Sequence, residues 1–158
     1  MISIFLAGLA TSCSHKENNT MGNATSNKEF VYEMISSKKK LEDYPDRISD
    51  SMVVYEPSSL PFGGVYKGYN AYEQFYPAVR EFYDFSKFEL LKVYSDEDVV
   101  FAIIKAGVAS VNEYILLCEH FTFNEEGKLI EVRLFIYDYP NKPISSLINS
   151  KENKNGSH

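Results

Sequence analysis

The chain has 158 residues, a formal net charge of −6, 44% hydrophobic residues and 24% charged residues. This composition supports one packed domain with tails, excludes wholesale disorder, and lacks the basic footprint of a nucleic-acid binder. Two cysteines, Cys13 and Cys118, exclude a disulfide scaffold or a cysteine-rich zinc site, and three histidines leave little for a histidine-based one.

The first residues, MISIFLAGLATS, are apolar and small and run into Cys13. The run is shorter than the roughly 20 residues a membrane-spanning helix needs. LATSC resembles a bacterial lipoprotein processing site with Cys13 as the lipidated residue. Two features depart from that pattern: no Lys or Arg precedes the run, and Ala10 rather than Leu stands three residues before the cysteine. The alternative is an apolar terminus with a chance cysteine. On the first reading, residues 1–13 are a signal segment and 14–26 a flexible tether. The protein is then placed in the bacterial cell envelope, touching membrane only through its lipid; on the alternative it is cytoplasmic. Residues 141–158, ending KENKNGSH, read as a flexible tail.

The folded domain is expected over 27–140. Ser26 and Glu29 form a capping-box pair. Phe30, Val31, Met34, Ile35 and Leu41 follow at helical spacing, and Tyr44-Pro45 ends that helix. A turn of helix covers Asp46–Ser49, and Met52–Glu56 is a short strand stopped by Pro57. The segment 58–68 is a glycine-rich loop. A second helix over about 70–83 contains Pro77, which should kink or split it. Four strands follow in meander: Phe85–Tyr94, Asp98–Ala106, Val111–Phe123 and Leu129–Tyr139. Helices ahead of an antiparallel sheet make an α+β fold.

The turn at Glu126-Gly127 sets a register for the last hairpin. A two-residue loop pairs Phe123 with Ile130, Phe121 with Val132, Glu119 with Leu134, Leu117 with Ile136 and Ile115 with Asp138. All ten side chains share one face, and only Glu119 and Asp138 are polar. Carboxylates on an apolar face are costly unless paired or beside a cavity, and burial raises their pKa values, as in general acids and bases. The two lie about 13 Å apart by strand rise, so they are no close dyad. The structural alternative pairs Glu119 with Arg80 or a lysine and leaves Asp138 at a solvated strand end. A three-residue loop with a bulge would exchange the faces. Cys118 and His120 alternate in a strand about 6.5–7 Å apart, too far for a nucleophile–base hydrogen bond. The opposite face, with Leu116, Phe135 and Tyr137, is a candidate dimer surface.

MVVYEPSSLPFGGVYKG (52–68) and FTFNEEGKLIEVRLFIYD (121–138) resemble SnoaL-like members of the nuclear transport factor 2-like (NTF2-like) superfamily, which includes ketosteroid isomerases and polyketide cyclases. The resemblance implies a cone of curved antiparallel sheet packed on N-terminal helices around an apolar pocket, often in a homodimer. It places Asp138 where polyketide cyclases carry an acid/base residue. Candidate catalytic residues are therefore Asp138, Glu119 and Tyr55; candidate ligand-binding residues are Phe62, Phe121, Leu134 and Ile136. The expected partner is a small hydrophobic, carbonyl-bearing molecule, and no metal or cofactor motif appears. A non-catalytic ligand-binding or interaction lipoprotein is the competing reading.

Overall fold

The computed structural model describes residues 20–37, 39, 41–109 and 113–137, with side chains from Asn27 onward, Glu42 excepted. Helix α1, Thr20–Ser37, starts within the segment expected to be a tether and stops before the lysine run rather than at Tyr44-Pro45. Ser26 is thus interior to the helix rather than its cap. Phe30 and Val31 are buried, and Met34 and Ile35 pack on the same core, as their spacing predicts. Beyond Ser37 the chain folds back on the helix: Lys39 Nζ reaches Glu33 at 3.0 Å, and the Tyr44 hydroxyl also donates to Glu33. A short turn at Pro45–Arg47 then leads into β1 (Ile48–Glu56).

The segment expected as a loop closes a tight turn over Pro57–Gly63 and then forms a short strand, β2 (Gly64–Lys67), antiparallel to β1. Gly63 is needed there, since a Cβ would collide with the Pro57 carbonyl oxygen. Pro77 splits the second helical stretch into a single turn at Tyr72–Gln74 and helix α2 (Tyr76–Phe82). Three long strands and a last one follow: β3 (Tyr83–Asp96), β4 (Val99–Val108), β5 (Tyr114–Phe123) and β6 (Leu129–Tyr137).

These strands form one six-stranded sheet in the order β2-β1-β6-β5-β4-β3. The sheet is mixed rather than wholly antiparallel, because β1 runs parallel to β6. Hairpin turns dictate only antiparallel neighbours, and the β1–β6 contact joins strands far apart in sequence. Register shifts in β1, twice in β3 and once in β6 mark bulges, which bend strands and increase their twist. Helix α1 packs over β3 and β4.

The last turn differs from the two-residue form expected. Its loop is Glu125-Glu126-Gly127, closed by the Asn124 N–H on the Lys128 carbonyl at 2.9 Å. The Asn124 side chain accepts from the Glu126 and Lys128 N–H groups, and Gly127 takes φ +74°. This loop shifts the register by one, so Phe123 faces Leu129 rather than Ile130. A bulge at Ile130 shifts it back. From Thr122 to Leu116 the pairing is therefore the one expected, Glu119 still faces Leu134, and the faces are not exchanged.

Arg47 ties this turn to α1. Its Nε donates to the Gly127 carbonyl at 2.9 Å and Nη2 to Asn27 Oδ1 at 2.7 Å. Its guanidinium lies 4.5 Å from the centre of the Phe30 ring. Asn27, only 2% exposed, is thereby satisfied in the core.

Candidate functional site

Period-two alternation along β1 places Met52, Val54 and Glu56 on one face, and the first two are fully buried. The parallel register pairs Val54 with Val132. Two residues further on, Glu56 falls beside Leu134. Leu134 in turn pairs with Glu119, Glu119 with Ala102, and Ala102 with Val93. One row across the inner face thus reads Val93, Ala102, Glu119, Leu134, Glu56, with Gly64 beside Glu56 at the other end. Two carboxylates flank a single leucine, with backbones about 10 Å apart at two strand spacings.

Both carboxyls are held toward their neutral forms. Burial, and then the charge of Glu119, raises the Glu56 pKa to about 8. Burial raises that of Glu119 to about 7. Such a pair titrates as a unit, with the second proton lost only against the first charge. Among the described residues no Lys, Arg or His is ion-paired with either. Among the described residues Glu119 pairs with neither Arg80 nor a lysine. Glu56 Oε2 is buried without a hydrogen-bond partner.

Two phenols complete the cluster. Tyr83, 6% exposed, buries a hydroxyl that has no hydrogen-bond partner. Tyr72 packs partly buried against the same core. Burial, with the charges of both glutamates, pushes each phenol pKa up, so both remain O–H donors. An aromatic cluster adjoins them. Tyr83 meets Phe82 at 4.9 Å and Phe62 at 6.0 Å between ring centres, and Tyr72 meets Phe75 at 5.4 Å. Phe62 is held by its own carbonyl, which accepts the Tyr66 hydroxyl at 2.7 Å.

Of the residues singled out from the sequence, Glu119 lies in this row and Leu134 beside it. Phe121 is fully buried one row away, and Ile136 packs partly buried against the same core. Phe62 is buried in the adjoining aromatic cluster. Tyr55 lies on the opposite face, with the Arg133 guanidinium 4.1 Å above its ring. Asp138 and Cys13 lie outside the described residues. Cys118 is buried and His120 packs on Phe101 at 4.8 Å. Glu56, Tyr72 and Tyr83 were not among the candidates. Glu56 was within reach of the β1 alternation, since it follows Met52 and Val54 at spacing two. Among the described residues no cluster of His, Cys, Asp and Glu could hold a metal, and no helix is long and apolar enough to cross a membrane.

Solved structures similar to this one share its fold at low identity. A steroid delta-isomerase from Pseudomonas aeruginosa matches at a TM-score of 0.60 and 14% identity, over 85% of this chain and 93% of that one. A SnoaL-like protein of unknown function from Burkholderia thailandensis matches at 0.55 and 15% identity, over 72% of this chain and 96% of that one. A de novo designed protein with a curved β-sheet matches at 0.56 and 16% identity, over 79% of this chain and 96% of that one. No protein-family model and no curated protein sequence matches the chain. The described residues have an NTF2-like fold: a curved mixed sheet of six strands with two helices. A shared fold does not name a reaction.

Proposed function

We propose that the protein binds a small hydrophobic, carbonyl-bearing molecule against the inner face of the sheet and moves a proton next to its carbonyl. The observation that carries this reading is the Glu56–Glu119 pair, two half-buried residues on the inner face with raised carboxyl pKa values and no cationic partner among the described residues. Near neutral pH such a pair holds one proton and one negative charge. The ionised carboxylate takes a proton from the carbon beside the carbonyl, and the same carboxyl returns it to carbon. The developing enolate oxygen accepts hydrogen bonds from the protonated partner and from the Tyr83 or Tyr72 hydroxyl. Asp138, the residue after the end of β6, is kept as a further acid/base candidate.

The test is exchange of α-protons in a panel of small cyclic ketones, followed by NMR in deuterated water. Exchange should be accelerated by the protein and fall by about 10²-fold or more in Glu56→Gln or Glu119→Gln. Binding without exchange across the panel would leave the second reading, a non-catalytic ligand-binding lipoprotein of the bacterial envelope. LATSC, ending at Cys13, supports that placement. Metabolic labelling with a fatty acid, lost in Cys13→Ala, tests it.

The outer sheet face supports a homodimer in either case. Val65, Tyr94, Phe135 and Tyr137 are exposed there, on both sides of the Arg133–Tyr55 stack.

A further inference from the structure

The interior site has acceptors and donors but, among the described residues, no cation. Buried carboxylates are ordinarily paired or bound to a metal. Among the described residues no ion pair balances either glutamate: Leu134 separates the two, and Tyr72 and Tyr83 are titratable groups that feel both. The unpartnered hydroxyl of Tyr83, in a side chain 6% exposed, and the unpartnered Oε2 of Glu56 mark where a polar ligand group would find partners. The rings of Tyr72 and Tyr83 also belong to the aromatic cluster of Phe62, Phe75 and Phe82, so electron-rich faces adjoin the carboxyls.

We infer that this interior also accepts small hydrophobic amines, whose ammonium group takes the place of the proton held by Glu56 or Glu119. The inference rests on the same carboxyl pair as the proposed function, though not on catalysis. The ammonium donates to the carboxylates and its hydrocarbon part lies against the aromatic cluster. With both carboxylates then ionised, one proton leaves the pair for solvent as the amine enters. A neutral alcohol of the same shape releases none, and a carboxylate ligand meets like charge.

Phenethylamine, phenethyl alcohol and phenylacetate differ mainly in the head group and serve as probes for calorimetric titration at neutral pH. The amine should bind about tenfold or more tighter than the alcohol, with phenylacetate weakest. Its heat should vary with the ionisation enthalpy of the buffer, and that of the alcohol should not. In the Glu56→Gln, Glu119→Gln double variant the preference for the amine should disappear while the alcohol changes by about twofold or less. An alcohol that matches the amine, an amine heat indifferent to the buffer, or a double variant that keeps the preference overturns the inference. The wild-type ranking and buffer dependence decide it even if the variant does not fold. Ketone exchange with no amine preference would sink this inference alone, whereas amine binding without exchange would sink only the catalytic reading.

Discussion

Glu56 and Glu119 stand on either side of Leu134 in one row of the inner face, and the charge of Glu119 adds to burial in raising the Glu56 pKa. Carboxyl-carbon NMR should therefore find both groups titrating well above the ordinary range of about 4.3. In Glu119→Gln the Glu56 value should fall, because a like charge is removed, but stay raised, because burial is its larger cause. A Glu56 value unmoved by the substitution would show that the two do not share a site.

The same shifts make stability depend on pH. Both carboxyls have folded-state pKa values above the ordinary value of 4.5, at about 8 and about 7. The folded protein therefore holds protons that the unfolded chain has released. Their contribution is fully present below about pH 4.5 and is lost as pH rises through 7 to 8. Thermal melts should show a lower Tm at pH 9 than at pH 6. The double glutamine variant should flatten that difference and gain on the order of 1–3 kcal/mol over wild type at the alkaline end. A steeper decline in the variant would contradict the assignment.

Tyr83→Phe separates stability from function. The hydroxyl has no hydrogen-bond partner among the described residues, so its removal costs no bond there and relieves a buried polar group. Stability should stay within about 1 kcal/mol of wild type or rise. Ligand affinity or exchange rate should fall by about tenfold if the hydroxyl serves the ligand. A large loss of stability would mean that the hydroxyl has a structural partner after all.

Arg47 lies far from this chemistry, at the turn end of the sheet. Arg47→Met keeps the apolar stem but loses the donors to the Gly127 carbonyl and Asn27 Oδ1 and the stack on Phe30. It should cost about 2–4 kcal/mol in denaturant unfolding, since it also strands the buried Asn27. The carboxyl titrations should not move.

Much of this arrangement was legible in the amino-acid order, and the remainder failed for identifiable reasons. Glu119 stood out because it interrupts an apolar alternation, and its pairing with Leu134 survived because two opposite register shifts cancel. The first comes from the three-residue Glu125-Glu126-Gly127 loop and the second from the Ile130 bulge; neither has a signal as plain as an Asn-Gly turn. Glu56 escaped because its partner row exists only once β1 lies parallel to β6, a contact that no local pattern announces. Tyr83 was hidden at the junction of α2 and β3, where helical and strand spacing overlap. Tyr55 attracted notice as a hydroxyl donor, yet the alternation that turns Glu56 inward turns Tyr55 outward onto Arg133.

The outward row runs Tyr94, Phe101, His120, Arg133, Tyr55, Val65 across the six strands. Its ends are exposed and apolar, with Tyr94 and Val65 each 55% exposed, and Phe135 and Tyr137 extend it along β6. Two copies meeting on this face would bury these side chains, and each Arg133 is already held against Glu131 at 3.2 Å, which lowers the cost of enclosing its charge. Sedimentation of the wild type should report a dimer, and Phe135→Glu with Tyr137→Glu should yield a folded monomer with unchanged carboxyl titration, since those substitutions face away from Glu56 and Glu119. A wild type that sediments as a monomer at high micromolar concentration would leave this face to a different partner.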